Sequence, residues 1–223
     1  MRSIPSVDTE PRNPHMPHIV FFHGWAGCST DWDPVITHLR AEMSGTPFSC
    51  ECPDAGYWGP ACSWSGQHPD GIVGYSLGCF DATVLARAHG CPWIAINGFT
   101  RFSRAPDFAE GVPPRLLTRM QAQLHEAPLV TVNTFRHRIG VPSLPPQSPC
   151  QPEALVHGLH RLLTEDHRPH RPQSALAGRL DPLISQDHSQ ACFGEAMHLI
   201  SGGHNLLTTH ARDIAAFVKR DFL

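Results

Sequence analysis

The sequence predicts an α/β protein: a mostly parallel central sheet covered by helices, with a small helical lid inserted after the first half of the sheet. Three observations predict it. Short apolar runs alternate with helix-like runs, the pattern of a parallel sheet with crossover helices. A Gly-x-Ser-x-Gly pentapeptide stands between one such run and the helix-like stretch that follows it. The region from 98 to about 166 then breaks the alternation with successive helical patterns and no strand. At 223 residues, 41% hydrophobic, the chain suits one α/β domain with a substantial core and is short for two. The expected layout is a flexible leader over 1–17 and one domain over 18–223, with the lid at about 99–168.

His18-Ile-Val-Phe-Phe22 is apolar enough for a strand buried on both faces and runs into His23-Gly24-Trp25-Ala26-Gly27. Asp31-Trp32-Asp33-Pro34 opens a helix reaching Leu39, with Pro34 in its first turn. Residues 47–52 read as a short alternating strand and 54–59 as a loop. Between Gly56 and Gly71 lie only 14 residues, broken by Gly59, Pro60, Gly66 and Pro69. A crossover helix does not fit there, so one face of the sheet is expected to be thinly covered. Ile72 and Val73 lead to Gly74-Tyr75-Ser76-Leu77-Gly78, and a helix follows over 79–89, with Phe80, Val84 and Ala88 on one face. Residues 91–97 form the next strand. Pro113-Pro114 starts a helix carrying Leu116, Leu117, Met120 and Leu124; 129–139 is a second, and 152–166 a third after a proline-rich connector. Apolar residues from 175 precede Asp181, Leu199 and Ile200 precede Gly202-Gly203-His204, and 211–222 is an amphipathic closing helix expected to pack on the sheet behind His204.

The chemistry concentrates where apolar runs end. Gly-x-Ser-x-Gly between strand and helix matches a nucleophile elbow, in which a strained turn lifts the serine hydroxyl above the sheet edge. Ser76, Asp181 and His204 follow in the order Ser…Asp…His, that of the α/β-hydrolase fold. Singly, each has an ordinary explanation as a turn serine, a capping aspartate or one of 16 histidines. All three following apolar runs, in order, favour a catalytic triad: Ser76 as nucleophile, His204 as base and then acid, Asp181 as its orienter. The His-Gly-Trp loop places the Trp25 amide, with that of Leu77, as the candidate oxyanion hole. His23 is expected to brace that loop.

Composition sets bounds. A formal net charge of −3 argues against nucleic acid or an anionic membrane as the main partner. No apolar run has the length of a transmembrane helix, and the polar, proline-containing start lacks the apolar core of a signal peptide. A cytoplasmic, monomeric protein is expected. The eight cysteines then read as reduced, mostly buried small hydrophobes. His157, His160, His167 and His170 lack carboxylate or thiolate partners at ligand spacing. No metal and no cofactor is expected, since neither a dinucleotide fingerprint nor a phosphate loop is present.

Phe21-Phe-His-Gly-Trp-Ala26, Gly74-Tyr-Ser-Leu-Gly78 and Leu176-Ala-Gly-Arg-Leu-Asp-Pro-Leu-Ile184 resemble the pimeloyl-acyl carrier protein methyl ester esterases of biotin synthesis. Phe102-Ser-Arg-Ala-Pro-Asp-Phe108, Gly111-Val-Pro-Pro114, Gln121-Ala-Gln-Leu124, Phe135 and Pro152-Glu-Ala-Leu-Val-His-Gly-Leu159 are similar to that family's lid, in order. The resemblance spans roughly residues 18 to 222. The short crossover after Gly56 and Asn97-Gly98 resemble a compact type within it. The resemblance implies hydrolysis of a carrier-bound methyl ester, an acyl carrier protein as partner, and Phe135 as a wall of the acyl tunnel. Arg115, Arg119, Arg136, Arg138 and Arg161 offer charge to an acidic carrier, although not at the family's positions. Two other functions fit the same residues: a broad short-acyl esterase or thioesterase, and a hydrolase-fold binding protein without turnover.

Overall fold

The computed structural model describes residues 16–43, 45 and 47–223, so most of the expected leader, 1–15, lies outside the described residues. Six strands form one sheet in the order β2-β1-β3-β4-β5-β6: His18–Phe22 (β1), Ser49–Glu51 (β2), Gly71–Tyr75 (β3), Trp93–Ile96 (β4), Ser174–Gly178 (β5) and Met197–Ile200 (β6). Every pair is parallel, with Val20 opposite both Glu51 and Ile72, and Val73 opposite Ile94. Parallel strands send all their carboxyl ends to one edge. The loops carrying Trp25, Ser76, Asn97, Asp181 and His204 therefore converge there.

The pleat divides the core in two. Ile19, Phe21, Val73, Tyr75, Ile94 and Ile96 point to one face. There they meet Val35 and Leu39 of Asp33–Glu42 (α1), Leu206 of Leu206–Thr209 (α7) and Ile214 and Val218 of Ala211–Phe222 (α8). The closing helix thus lies beside α1 on this face. Ile72, Trp93, Ala95 and Ala175 point to the other face, toward Gly78–His89 (α2) and Gln186–Phe193 (α6).

Two readings of helices are corrected. Val84 is 52% exposed and Ala88 is exposed as well; α2 buries Cys79, Phe80, Ala82, Thr83 and Ala86 instead. The helix lies so close to the sheet at the Ser76 turn that only a face of mostly small residues fits. A Cβ on Gly74 would stand 2.6 Å from the Cα of Cys79, and one on Gly78 would strike the carbonyls of Phe22 and His23. The helix α6 was not expected. It is short, and its main signal is Ser185, whose hydroxyl accepts the His188 amide at 3.1 Å as an N-cap worth ~1 kcal/mol.

As expected, no helix joins β2 to β3. The face is nevertheless covered. Tyr57 and Trp58 of the crossover loop fill it from one side, and Pro152–Thr164 (α5) from the other. Gln151 donates its amide to the Tyr57 carbonyl at 2.9 Å, and Gly158 leaves room for the Tyr57 hydroxyl and the Trp25 ring.

Between β4 and β5 stand Pro114–Glu126 (α3), Pro128–Arg138 (α4) and α5. The third helix ends at Thr164, two residues short of the expected end, because the chain turns into an ion-pair cluster. Arg161 bonds Glu165 at 2.6 Å and Asp81 of α2 at 3.0 Å, and His167 bonds Glu165 at 2.9 Å. Partial burial raises the Glu165 carboxyl, but hydrogen bonds from His167 and Arg161 outweigh it and lower it to about 2. Arg101, Asp166, Arg168 and Asp107 tie the two ends of the insertion together.

Of the eight cysteines, none of which is in a disulfide, only Cys79 and Cys192 are buried; Cys62 is exposed and the rest are half-buried. The expectation of mostly buried thiols fails in part because Cys50 lies on β2, an edge strand, and Cys52 just after it. No helix among the described residues is long and apolar enough to cross a membrane.

Candidate active site

Ser76 follows β3 directly and has φ +52°, a left-handed conformation costing a non-glycine residue roughly 1–3 kcal/mol. That turn aims its side chain at His204, which follows β6. The structure brings the three expected residues together. His204 Nε2 lies 3.1 Å from Ser76 Oγ, and Nδ1 lies 2.7 Å from Asp181 Oδ2. Both side chains of the His204–Asp181 pair are nearly inaccessible, at 1% and 2% exposure. The other carboxylate oxygen of Asp181 accepts the amides of Leu183 and Ile184 at 2.8 and 3.1 Å, so the loop after β5 locks the acid in place. With Nδ1–H donated to the carboxylate, Nε2 is left to accept the serine proton.

The loop after β1 closes over the serine. A Cβ on Gly24 would lie 3.0 Å from Ser76 Cβ, so the backbone leading to Trp25 passes directly beside Ser76. Neither the Trp25 nor the Leu77 amide has an acceptor among the described residues. Leu77 is the N-cap of α2, at the end of the helix where the first N–H groups point outward and favour negative charge. His23 braces the loop, as expected. Its Nε2 accepts the Ala55 amide at 3.0 Å, which leaves Nδ1–H to donate to the Gly24 carbonyl at 2.8 Å. Asp54 Oδ1 stands 3.7 Å from Nε2.

The Trp25 side chain turns away from the sheet. Its indole N–H donates to the Leu155 carbonyl of α5 at 2.8 Å, and its ring meets Phe135 of α4 edge-on at 4.8 Å. Such aromatic pairs contribute ~0.5–1.5 kcal/mol beyond their buried area. Phe135 and Ser76 share a cavity of about 470 Å³ running beneath the insertion. Phe99, Phe102, Leu117, Leu159 and Leu162 make its apolar interior, and Arg119, Gln123, Glu126 and Arg138 bring polar groups to its wall.

Of the arginines considered for a carrier, Arg161 is bound to Asp81 and Glu165. Arg136 donates to the carbonyls of Pro142 and Ala26, and Arg138 to that of Pro182. Arg115 and Arg119 make no side-chain hydrogen bond or ion pair among the described residues. No group of three or more His, Cys, Asp or Glu among the described residues could hold a metal ion.

Sequence reading gave no role at the site to two residues that shape it. Asn97 and Tyr75 both bond the His204 carbonyl, at 2.7 and 3.0 Å. Tyr75 is the variable residue before the serine, and nothing in the pentapeptide marks its hydroxyl as a donor to a loop 129 positions away.

By sequence, no protein-family model and no curated protein matches the chain. Solved structures do match in shape. An esterase from Exiguobacterium antarcticum superposes with a TM-score of 0.72 at 10% identity, over 92% of this chain and 91% of its own. A bromoperoxidase from Bacillus anthracis gives 0.73 at 14% identity, over 92% and 91%. A hydrolase from Oleispira antarctica gives 0.71 at 14% identity, over 93% and 91%. At these identities the likeness speaks for architecture. With a parallel six-stranded sheet, helices on both faces and the elbow at Ser76, the chain has the α/β-hydrolase fold.

Proposed function

We propose that the protein is a serine carboxylesterase working through an acyl-enzyme, and that its substrate is the methyl ester of pimeloyl-acyl carrier protein. One observation carries the reaction class: the hydrogen-bonded chain Asp181–His204–Ser76, at 2.7 and 3.1 Å, opens onto an apolar cavity within the usual ligand-pocket range of ~300–1,000 Å³. Ser76 Oγ attacks the ester carbonyl while His204 Nε2 takes its proton, and the negative oxygen that forms is received by the Trp25 and Leu77 amides. His204 returns the proton to the departing methoxide and methanol leaves. A water then gives a proton to His204 and attacks the acyl carbon. Ser76 is regenerated and a free carboxylic acid is released.

The finer substrate rests on the motifs and lid segments named above, and on Phe135 lining the cavity as the resemblance implies. A second reading, a broad short-acyl esterase or thioesterase, is favoured by the arginines. Three of the five are already occupied by carboxylates or backbone carbonyls, which leaves Arg115 and Arg119 for an acidic carrier.

The test is methyl loss from the carrier-bound ester, followed by mass spectrometry, with kcat/KM compared on the free methyl ester. Demethylation abolished by Ser76→Ala, with strong preference for the carrier-bound form, supports the proposal. Equal rates on both esters favour the broad esterase, and no turnover without fluorophosphonate labelling of Ser76 favours a binding protein.

A further inference from the structure

Resting on that esterase reading, we propose that Asn97, together with Tyr75, is the positioning residue that sets His204 against Ser76. Asn97 follows β4, is 1% exposed and has φ +41°, a conformation that asparagine and aspartate tolerate better than other side chains. Its side chain is fully engaged. Nδ2 donates to the carbonyls of Gly203 and His204 at 2.8 and 2.7 Å, and Oδ1 accepts the Gly178 amide at 2.7 Å. Gly178 ends β5, three residues before Asp181, so one amide group joins the loop of the acid to the loop of the base.

Tyr75 supplies the second donor to the His204 carbonyl at 3.0 Å, and its ring lies 5.3 Å from the imidazole. Burial pushes the Tyr75 phenol well above its ordinary value, so the hydroxyl remains a donor. The carbonyl of His204 is thus gripped from the ends of two adjacent strands, β3 and β4. Its imidazole has its own hydrogen bonds, to Asp181 and Ser76, and Asn97 meets only main-chain groups. The role is therefore to place an imidazole that must serve Ser76, the leaving group and a water in turn. Asn97 holds a strained conformation to do so, and it saturates a buried polar group with three bonds across the active-site edge.

The experiment compares wild type, Asn97→Asp and Tyr75→Phe by fluorophosphonate labelling rate, kcat, KM and the pH profile of kcat/KM, each per folded molecule. Asn97→Asp keeps the backbone tolerance and the acceptor for Gly178 but replaces the two donors with a carboxylate facing carbonyls. We expect labelling and kcat to fall about 100-fold, the scale of a misplacement near 1 Å, with KM little changed. The acid limb of the profile should move to higher pH as negative charge arrives beside His204. Tyr75→Phe should lower kcat about 2–10-fold, the size of one hydrogen bond. Unchanged labelling and an unmoved profile, with only the melting temperature lowered, overturn the proposal. If Asn97→Asp does not fold, an unaltered kcat and profile in Tyr75→Phe overturn it equally. Wild type that fails to label overturns the esterase reading and this proposal with it; labelling at wild-type rate in both variants overturns this proposal alone.

Discussion

The sheet edge that carries the triad and the insertion that roofs it are held by different means. At the edge, the side chains that flank Ser76 and His204 are buried and bonded to main chain: Asp181 to two amides, Asn97 to three backbone groups, His23 to two. The packing there tolerates almost no added atom at Gly24, Gly74 or Gly78. The insertion instead shows its cavity an apolar lining and is pinned at its base by ion pairs that reach the surface, Arg161 with Asp81 and Glu165, and Arg168 with Asp107 and Asp166. The edge holds a single tight geometry, while the insertion, apart from the α5 bond to Trp25, can change residues without disturbing it. The difference explains why the Ser76–His204–Asp181 arrangement is legible in few positions, while the lining of the cavity is spread over many.

The sharpest way to break the comparison is at the nucleophile. Ser76→Ala should lower kcat on an activated ester by about 10⁶-fold while the melting temperature stays near wild type. Asp181→Asn, which offers His204 the wrong hydrogen-bonding group, should cost about 10⁴-fold in kcat. In the insertion, Leu162→Trp should fill part of the cavity: kcat/KM for long acyl esters falls about 10–100-fold while that for acetyl esters changes little, as a chain-length series would show. Equal loss on both would mean that the roof and the edge are not separable.

Arg161→Gln should cost ~1–3 kcal/mol, a drop of about 2–4 °C per kcal/mol in a melting scan. Glu165 gives the sign of the pH effect. Its carboxyl is lowered from 4.5 to about 2 in the folded protein, so its contribution is complete above pH 4.5 and is lost as pH falls toward 2. The variant's stability curve should be flatter in that window. The smallest effect belongs to His188, which burial holds below its ordinary 6.5. The unfolded chain binds that proton first, so stability falls as pH drops below 6.5, and His188→Gln should make the decline shallower.

Much of the edge was legible because it depends on local sequence. Strands end at Phe22, Tyr75, Gly178 and Ile200, and a polar residue follows each within a short glycine-containing loop. What was not legible depends on contacts distant in sequence. The buried face of α2 could not be read from large apolar residues, because the tight elbow selects small ones and leaves Val84 outside. Asn97 was visible only as part of a family likeness. Its partners, Gly178 and His204, lie 81 and 107 positions away and form no period. The cover over the missing crossover helix was likewise hidden, since α5 arrives there from the insertion.

The bond from the Trp25 indole to the Leu155 carbonyl has a consequence for how such an enzyme could diversify. Trp25 belongs to the loop proposed to receive the oxyanion, and Leu155 to a helix of the insertion over the cavity. Any change that shifts α5 to admit a new acyl group drags on the loop, so new specificity and lost rate arrive together. Helix α3 has no such tether to that loop among the described residues, and it lines the same cavity with Leu117, Met120 and Gln123. Selection for a different substrate is therefore freest there, and a mutational library confined to α3 would explore specificity at the least catalytic cost.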